Sequence, residues 1–238
     1  MSRRRDIVIA IDGPAGVGKS TVGTLVAKKL GFRFINTGEM YRALTWKALE
    51  EGLDLADPEA VTGLALRLDW DFRTTDGGVV LRTCLDGVGV THQIRDERVS
   101  KGTSLVAAMP GVRKHLRMLQ RRLGRGGGIV MEGRDIATNV YPDAELKIYL
   151  DASIEERALR RTRQLREQGK PADFEKIRRA VAERDRQDRQ RRINPLRQAE
   201  DAVAIDSTRM SLREVADGIL RLTRARPKGG RPARGRRG

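Results

Sequence analysis

The chain has 238 residues, 39% of them hydrophobic, which suits one domain with a buried core and leaves no apolar span of membrane length. Lys and Arg outnumber Asp and Glu by 48 to 32, a formal net charge of +16 that is located in an acid-free stretch from Arg224 to the end and in a second basic region from Arg157 to Arg192. The lone Cys84 excludes an internal disulfide and suits a reducing cytoplasm, and Asp12 interrupts the apolar stretch that would make the Arg3-Arg4-Arg5 start a signal peptide.

Residues 7–11 form an aliphatic run, Ile7-Val8-Ile9-Ala10-Ile11, that reads as a buried strand. Gly13-Pro14-Ala15-Gly16-Val17-Gly18-Lys19-Ser20-Thr21 follows at once and fits G-x-x-x-x-G-K-[ST]. Residues 20–30 then read as an amphipathic helix, with Val22, Leu25, Val26 and Leu30 near one face. Strand, glycine loop and helix bring backbone N–H groups and the positive end of a helix dipole to one point, so these nine residues are expected to cradle a nucleoside triphosphate. Lys19 supplies a compact cation for the β- and γ-phosphates, and the Ser20 hydroxyl suits Mg²⁺, bound as MgATP.

A second strand is expected at 32–36, a helix at 39–51 ended by Gly52, and another helix at 58–67. Residues 68–72 and 79–85 are β-rich, with turns at Asp76-Gly77 and Asp86-Gly87, and read as an antiparallel excursion ending near Ile94. Helices at 97–108 and 111–123, split by Pro110, precede strands at 129–131 and 146–150. Ser153 and Glu156 form a capping box for a helix reaching Gln168, and Asp173 opens one that runs toward Asn194 and stops at Pro195. A short strand at 202–205 and a helix capped by Ser211 and Glu214 complete the order. Short apolar strands alternating with helices imply an α/β fold of the P-loop NTPase kind, with a central parallel sheet flanked by helices and a small antiparallel β-rich insert. Trp46 and Trp70 read as core, and His92 and His115, without metal-like spacing, as surface.

Arg42, in Asn36-Thr37-Gly38-Glu39-Met40-Tyr41-Arg42, and Arg134, in Glu132-Gly133-Arg134-Asp135, each follow a strand. Ligands of such sheets bind outside the carboxyl ends of the strands, so two arginines there point to a clamp for a second anion. Within Arg184 to Arg192, Arg184, Asp188 and Arg191 share one helical face, either a solvated surface laced with intrahelical pairs or a carboxylate held between two guanidiniums for a ligand; spacing alone favours the former.

The motifs G-P-A-G-V-G-K-S, N-T-G-E-M-Y-R, S-L-V-A-A-M-P-G-V-R, E-G-R-D-I-A-T and E-R-D-R-Q-D-R-Q-R, in this order over residues 7–220, make the chain resemble bacterial cytidylate kinases, nucleoside monophosphate kinases that act on CMP. The resemblance implies transfer of the γ-phosphoryl of ATP to CMP or dCMP. It divides a single domain of 1–238 into a core of 6–56, 126–155 and 195–223, a nucleotide-binding insert of about 57–110, a helical lid of about 156–192 and a tail of 224–238. Arg42, Arg134 and Arg191 then match residues that grip the CMP phosphate, beside Thr37. Ser104, Arg113 and Asp135 match readers of the cytosine, and Arg184 and Asp188 match the residues that hold the ribose. Arg157 and Arg161 fall in the mobile lid and, with Lys19, would neutralise charge during transfer. The family implies a monomer. Asn36, Glu39 and Ala137 stand where Asp, a small residue and Gly are usual.

Other classes fit less well. A shikimate- or adenylate-type kinase shares the loop but gives no reason for Ser104, Arg113 and Asp135 together. A GTPase-like switch needs an Asn-Lys-x-Asp motif, which the sequence lacks. A nucleic-acid-binding module would use the net charge, but 4% aromatic residues offer few stacking platforms. The Gly/Pro/Arg-rich tail 224–238 is expected to be disordered and to give weak, salt-sensitive accessory binding to RNA or DNA.

Overall fold

The computed structural model describes residues 7–225. The tail beyond 225, for which disorder and nucleic-acid binding are expected, lies outside the described residues. Strands β1 (Val8–Asp12), β2 (Arg33–Asn36), β3 (Trp70–Thr75), β4 (Val80–Leu85), β5 (Val88–Gly89), β6 (Ile129–Gly133), β7 (Leu146–Asp151) and β8 (Val203–Asp206) form one sheet. Its order is β3-β4-β2-β6-β1-β7-β8, with β5 also on β4, and every pair from β4 to β8 is parallel.

The helices are α1 (Lys19–Leu30), α2 (Thr37–Glu50), α3 (Pro58–Arg67), α4 (Glu97–Val106), α5 (Pro110–Gly124), α6 (Ile154–Glu167), α7 (Phe174–Gln190) and α8 (Leu212–Ala225). They cover both faces of the sheet, which is why β1 and β6 are buried along their whole length and apolar except for Asp12 and Glu132. Alternate β1 residues serve opposite cores, as the pleat requires. Val8 and Ala10 join the residues of α2, α3 and α5, whereas Ile9 and Ile11 join those of α1 and α8.

The antiparallel excursion has the expected pairing, from Trp70 opposite Leu85 to Thr75 opposite Val80. Asp86 and Gly87 both have positive φ, the conformation that a two-residue hairpin turn demands. The unit is continuous with the main sheet, because β4 also pairs in parallel with β2 through Phe34–Val80 and Ile35–Leu81. Local alternation carries no sign of that long-range partner.

Three sequence expectations are corrected. Helix α7 ends at Gln190, not near Asn194, and Leu196 N–H returns to Asp188 O at 2.8 Å while Asn194 takes a positive φ. His115 is half-buried, its ring 6.3 Å from that of Trp70 and its Nε2 enclosed without a hydrogen-bond partner among the described residues. Trp70 is core, donating to Ala65 O at 2.9 Å, but Trp46 is only partly buried against it. No helix among the described residues is long and apolar enough to cross a membrane.

Candidate active site

The glycine loop joins β1 to α1 at the centre of the sheet. Gly16 and Gly18 adopt positive φ, and a Cβ at Gly13 would stand 2.0 Å from Leu150 O on the neighbouring strand. Close backbone packing, rather than turn chemistry alone, therefore demands glycine at 13. Lys19 is buried and donates to the carbonyls of Gly13 at 2.9 Å and Pro14 at 2.7 Å. Burial, with help from the nearby Arg134 charge, draws its ammonium down to about 7 against the pull of Glu132, Asp12 and Asp188. Ser20 Oγ donates to Glu132 Oε1 at 2.5 Å, and Glu132 Oε2 is enclosed without a hydrogen-bond partner among the described residues. Burial raises the Glu132 carboxyl, and Lys19 and Ser20 offset part of the rise.

Across the cleft, α2, α5, the end of β6 and α7 converge. Arg113, on α5, donates to Asp135 Oδ2 at 2.5 Å and to Ala107 O at 3.1 Å, and its guanidinium lies 5.6 Å from the centre of the Tyr41 ring. Both members of the Arg113–Asp135 pair are buried. Asn139 donates to the same Oδ2 at 2.9 Å. Asp135 Oδ1 carries no hydrogen bond among the described residues and has Arg191 Nη2 at 3.7 Å. The early end of α7 turns Arg191 this way, anchored by the carbonyls of Ile193 and Asn194.

Arg134 Nε donates to Asp188 Oδ2 at 2.7 Å, so Asp188 answers an arginine of another element. Burial alone would raise the Asp188 carboxyl, but Arg134, Arg184 and Arg191 outweigh it and hold it below the usual range. Arg184 makes no hydrogen bond among the described residues; burial and the Arg134 charge bring its guanidinium down to about 10. Arg42 donates to Ile94 O at 2.6 Å and Ser100 Oγ at 2.8 Å, and burial together with the nearby Arg161 charge lowers it as well. Of the four arginines 42, 134, 184 and 191, burial lowers Arg42, Arg184 and Arg191, whereas at Arg134 burial is outweighed by Asp188, Glu132 and Asp185, which raise it; an anion would relieve the three that are lowered.

Most of the residues selected from the sequence are therefore brought together. Thr37 Oγ1 donates to Glu132 O at 2.8 Å beneath the cleft. Ser104 is half-buried on α4 without a hydrogen bond among the described residues, and Arg161 bonds only to Gln164, at 2.7 Å. Arg157 is buried under the glycine loop, where it donates to Ala152 O and Ala15 O, and its position is that of a strut. The three atypical residues also have partners. Asn36 donates to Ser20 Oγ at 3.3 Å, Glu39 pairs with Arg82 at 2.6 Å, and Ala137 N–H is held by Asp12.

Sequence reasoning missed Asp12, Glu132, Arg160 and Asp185. Asp12 accepts from the N–H groups of Ile136 and Ala137 at 2.9 and 2.7 Å, and burial lifts its carboxyl to about 6 against those two bonds. Arg160 donates to Val17 O at 3.1 Å and Ser207 O at 2.7 Å. Asp12 and Glu132 had a signal, a charged residue closing an otherwise apolar strand, whereas Arg160 and Asp185 had none outside a helix full of charges.

The sequence model of the family described as cytidylate kinase matches residues 9–225. The cytidylate kinase of Geobacillus sp. (strain WCH70) is 44% identical over 223 residues, covering 94% of this chain and 99% of that protein. The chain belongs to the cytidylate kinase family. It is also 48% identical over 223 residues to the bifunctional pantoate ligase/cytidylate kinase of Synechococcus sp. (strain JA-3-3Ab), where the match covers 93% of this chain and 41% of the relative, so the chain spans less than half the length of that bifunctional protein. Among solved structures, an uncharacterized protein from Eubacterium ventriosum ATCC 27560 shares the fold, with TM-score 0.50 at 10% identity over 92% of this chain and 99% of that one. As a member of this family the chain is a kinase, a transferase built on a mostly parallel α/β sheet.

Proposed function

We propose that the chain transfers the γ-phosphoryl of ATP to CMP or dCMP, giving ADP and CDP or dCDP. The observation that carries this reading is the buried Arg113–Asp135 pair, which leaves Asp135 Oδ1 without a hydrogen bond among the described residues, 3.7 Å from Arg191 Nη2. A carboxylate oxygen there accepts from the cytosine N4 amino group, while Arg113 and Ser104 serve the ring acceptors. UMP presents a carbonyl in place of the amino group, a buried mismatch costing about 1–3 kcal/mol.

Arg42, Arg134 and Arg191 hold the CMP phosphate beside Thr37, and Arg184 and Asp188 hold the ribose. The phosphate of CMP is itself the nucleophile and is mostly ionised at neutral pH, with a second pKa of about 6, so no general base is required. The loop amides and Lys19 align the triphosphate, Arg161, in a lid of about 156–192, completes the charge neutralisation and excludes water, and Arg157, buried beneath the loop, supports it from below rather than meeting the phosphates. The remaining division is a core of 6–56, 126–155 and 195–223 and an insert of about 57–110.

Mg²⁺ fits the residues present. Ser20 Oγ and Glu132 Oε2, the latter without a hydrogen-bond partner among the described residues, are hard oxygen donors at the mouth of the loop. No cluster of three or more His, Cys, Asp or Glu able to hold a metal occurs among the described residues, so Ser20 and Glu132 would share the ion with phosphate oxygens and water. When bound, Mg²⁺ supplies charge neutralisation between the β- and γ-phosphates.

The test measures ADP formation from ATP and Mg²⁺ with CMP, dCMP, UMP, AMP and shikimate, alongside Asp135→Ala. Turnover with CMP and dCMP, little with UMP, and a large loss in the variant are expected. Equal turnover with UMP would remove the role given to Asp135, and no turnover with any nucleotide would remove the function.

A further inference from the structure

The backbone of Ala15 is held from both sides by α6 and α7, through its N–H and its carbonyl, which belong to successive peptide groups. Its N–H donates to Asp185 Oδ1 of α7 at 3.2 Å, and its carbonyl accepts from Arg157 Nη1 of α6 at 3.1 Å. The same Nη1 donates to Asp185 Oδ2 at 2.5 Å, which closes a ring of three residues from three elements. Ala15, Arg157 and Asp185 are all buried, and Arg157 Nε is fixed on Ala152 O at 2.9 Å. A Cβ at Gly16 would stand 3.3 Å from Arg157 O, so the first turn of α6 lies directly against the loop. Helix α7 also reaches the other half of the cleft, because Asp188, one turn beyond Asp185, binds Arg134.

We infer that Asp185 is a positioning residue that, through Arg157 and the Ala15 backbone, sets the phosphate loop in its binding conformation and registers it against α7. The inference rests on the reading of this loop as the ATP site. A negative side chain beside an anion-binding loop is electrostatically unfavourable in itself, and Arg157 cancels its charge while the carboxylate fixes the direction of the loop amide. Loops that bind phosphate through backbone amides depend on the orientation of each peptide, so removing the ring weakens triphosphate binding without touching the groups that read the acceptor.

The experiment compares wild type with Asp185→Asn, which keeps an oxygen for the Ala15 amide but loses the charge that binds Arg157. Asp185→Glu, which keeps the charge but moves it, is measured in parallel. The readouts are the affinity for a fluorescent ADP analogue, KM for CMP, and thermal unfolding. Both variants are expected to bind the analogue about tenfold more weakly, with KM for CMP within twofold of wild type. Analogue affinity within twofold of wild type, or equal weakening of both ligands, would overturn the inference. A wild type that binds the analogue but fails to phosphorylate CMP would instead overturn the proposed reaction, and the affinity comparison would still decide the role of Asp185.

Discussion

The two halves of the cleft are built by opposite means. The half we propose for the triphosphate is nine consecutive residues, Gly13 to Thr21, whose available groups are mainly backbone amides held by glycines and by the packing of the loop on Leu150. The half we propose for the acceptor is made of side chains drawn from residue 37 to residue 191, locked to one another by Arg113–Asp135 and Arg134–Asp188. The difference teaches where each half is fragile. A backbone-made site tolerates side-chain changes but no steric intrusion, whereas an interlocked side-chain site fails when any one partner leaves an uncompensated charge.

The largest effect should come from Gly13→Ala. With φ at 152° and Leu150 O 2.0 Å from the new Cβ, the loop cannot accept the methyl without moving β7 or itself. A loss of stability of more than about 4 kcal/mol is expected in urea unfolding. A variant within about 1 kcal/mol of wild type would break the contrast.

Next in size is the buried pair. Arg113→Ala and Asp135→Ala should each cost about 3–5 kcal/mol by leaving the other charge buried, while the double variant should cost clearly less than the sum. Additive losses in the same unfolding experiment would mean that the two side chains act separately.

Asp12 joins the halves, since it ends β1 and holds the N–H groups that follow Asp135. Its carboxyl is raised to about 6, mainly by burial, with Asp135 adding and Lys19 opposing. A raised carboxyl binds its proton more tightly in the folded state, so its contribution to stability is full below about 4 and is lost as pH rises through about 6. The stability of wild type relative to Asp12→Asn should therefore fall by on the order of 2–3 kcal/mol between pH 4 and pH 7. A difference that stays constant with pH, measured by urea unfolding, would show that Asp12 does not titrate as its burial demands.

The strand–loop–helix unit was legible in the chain itself, because strand, glycine spacing and helix lie within 24 residues, Ile7 to Leu30, and each carries a local signal. Most element boundaries followed from caps as well, such as Ser153 accepting from Glu156 N–H and Asp173 from Lys176 N–H. The proposed acceptor residues were selected because family motifs marked them; spacing alone favoured a solvated face for Arg184, Asp188 and Arg191. Three things were decided only by tertiary structure. Strand β4 joins β2, α7 stops early enough to turn Arg191 toward Asp135, and Asp185 closes the ring with Arg157 and Ala15. Each depends on a partner remote in sequence, and a charged helical position reads the same whether that partner is water or a buried guanidinium. Local backbone preference and periodicity are written into consecutive residues, but the pairing of charges is settled only when packing removes the water between them.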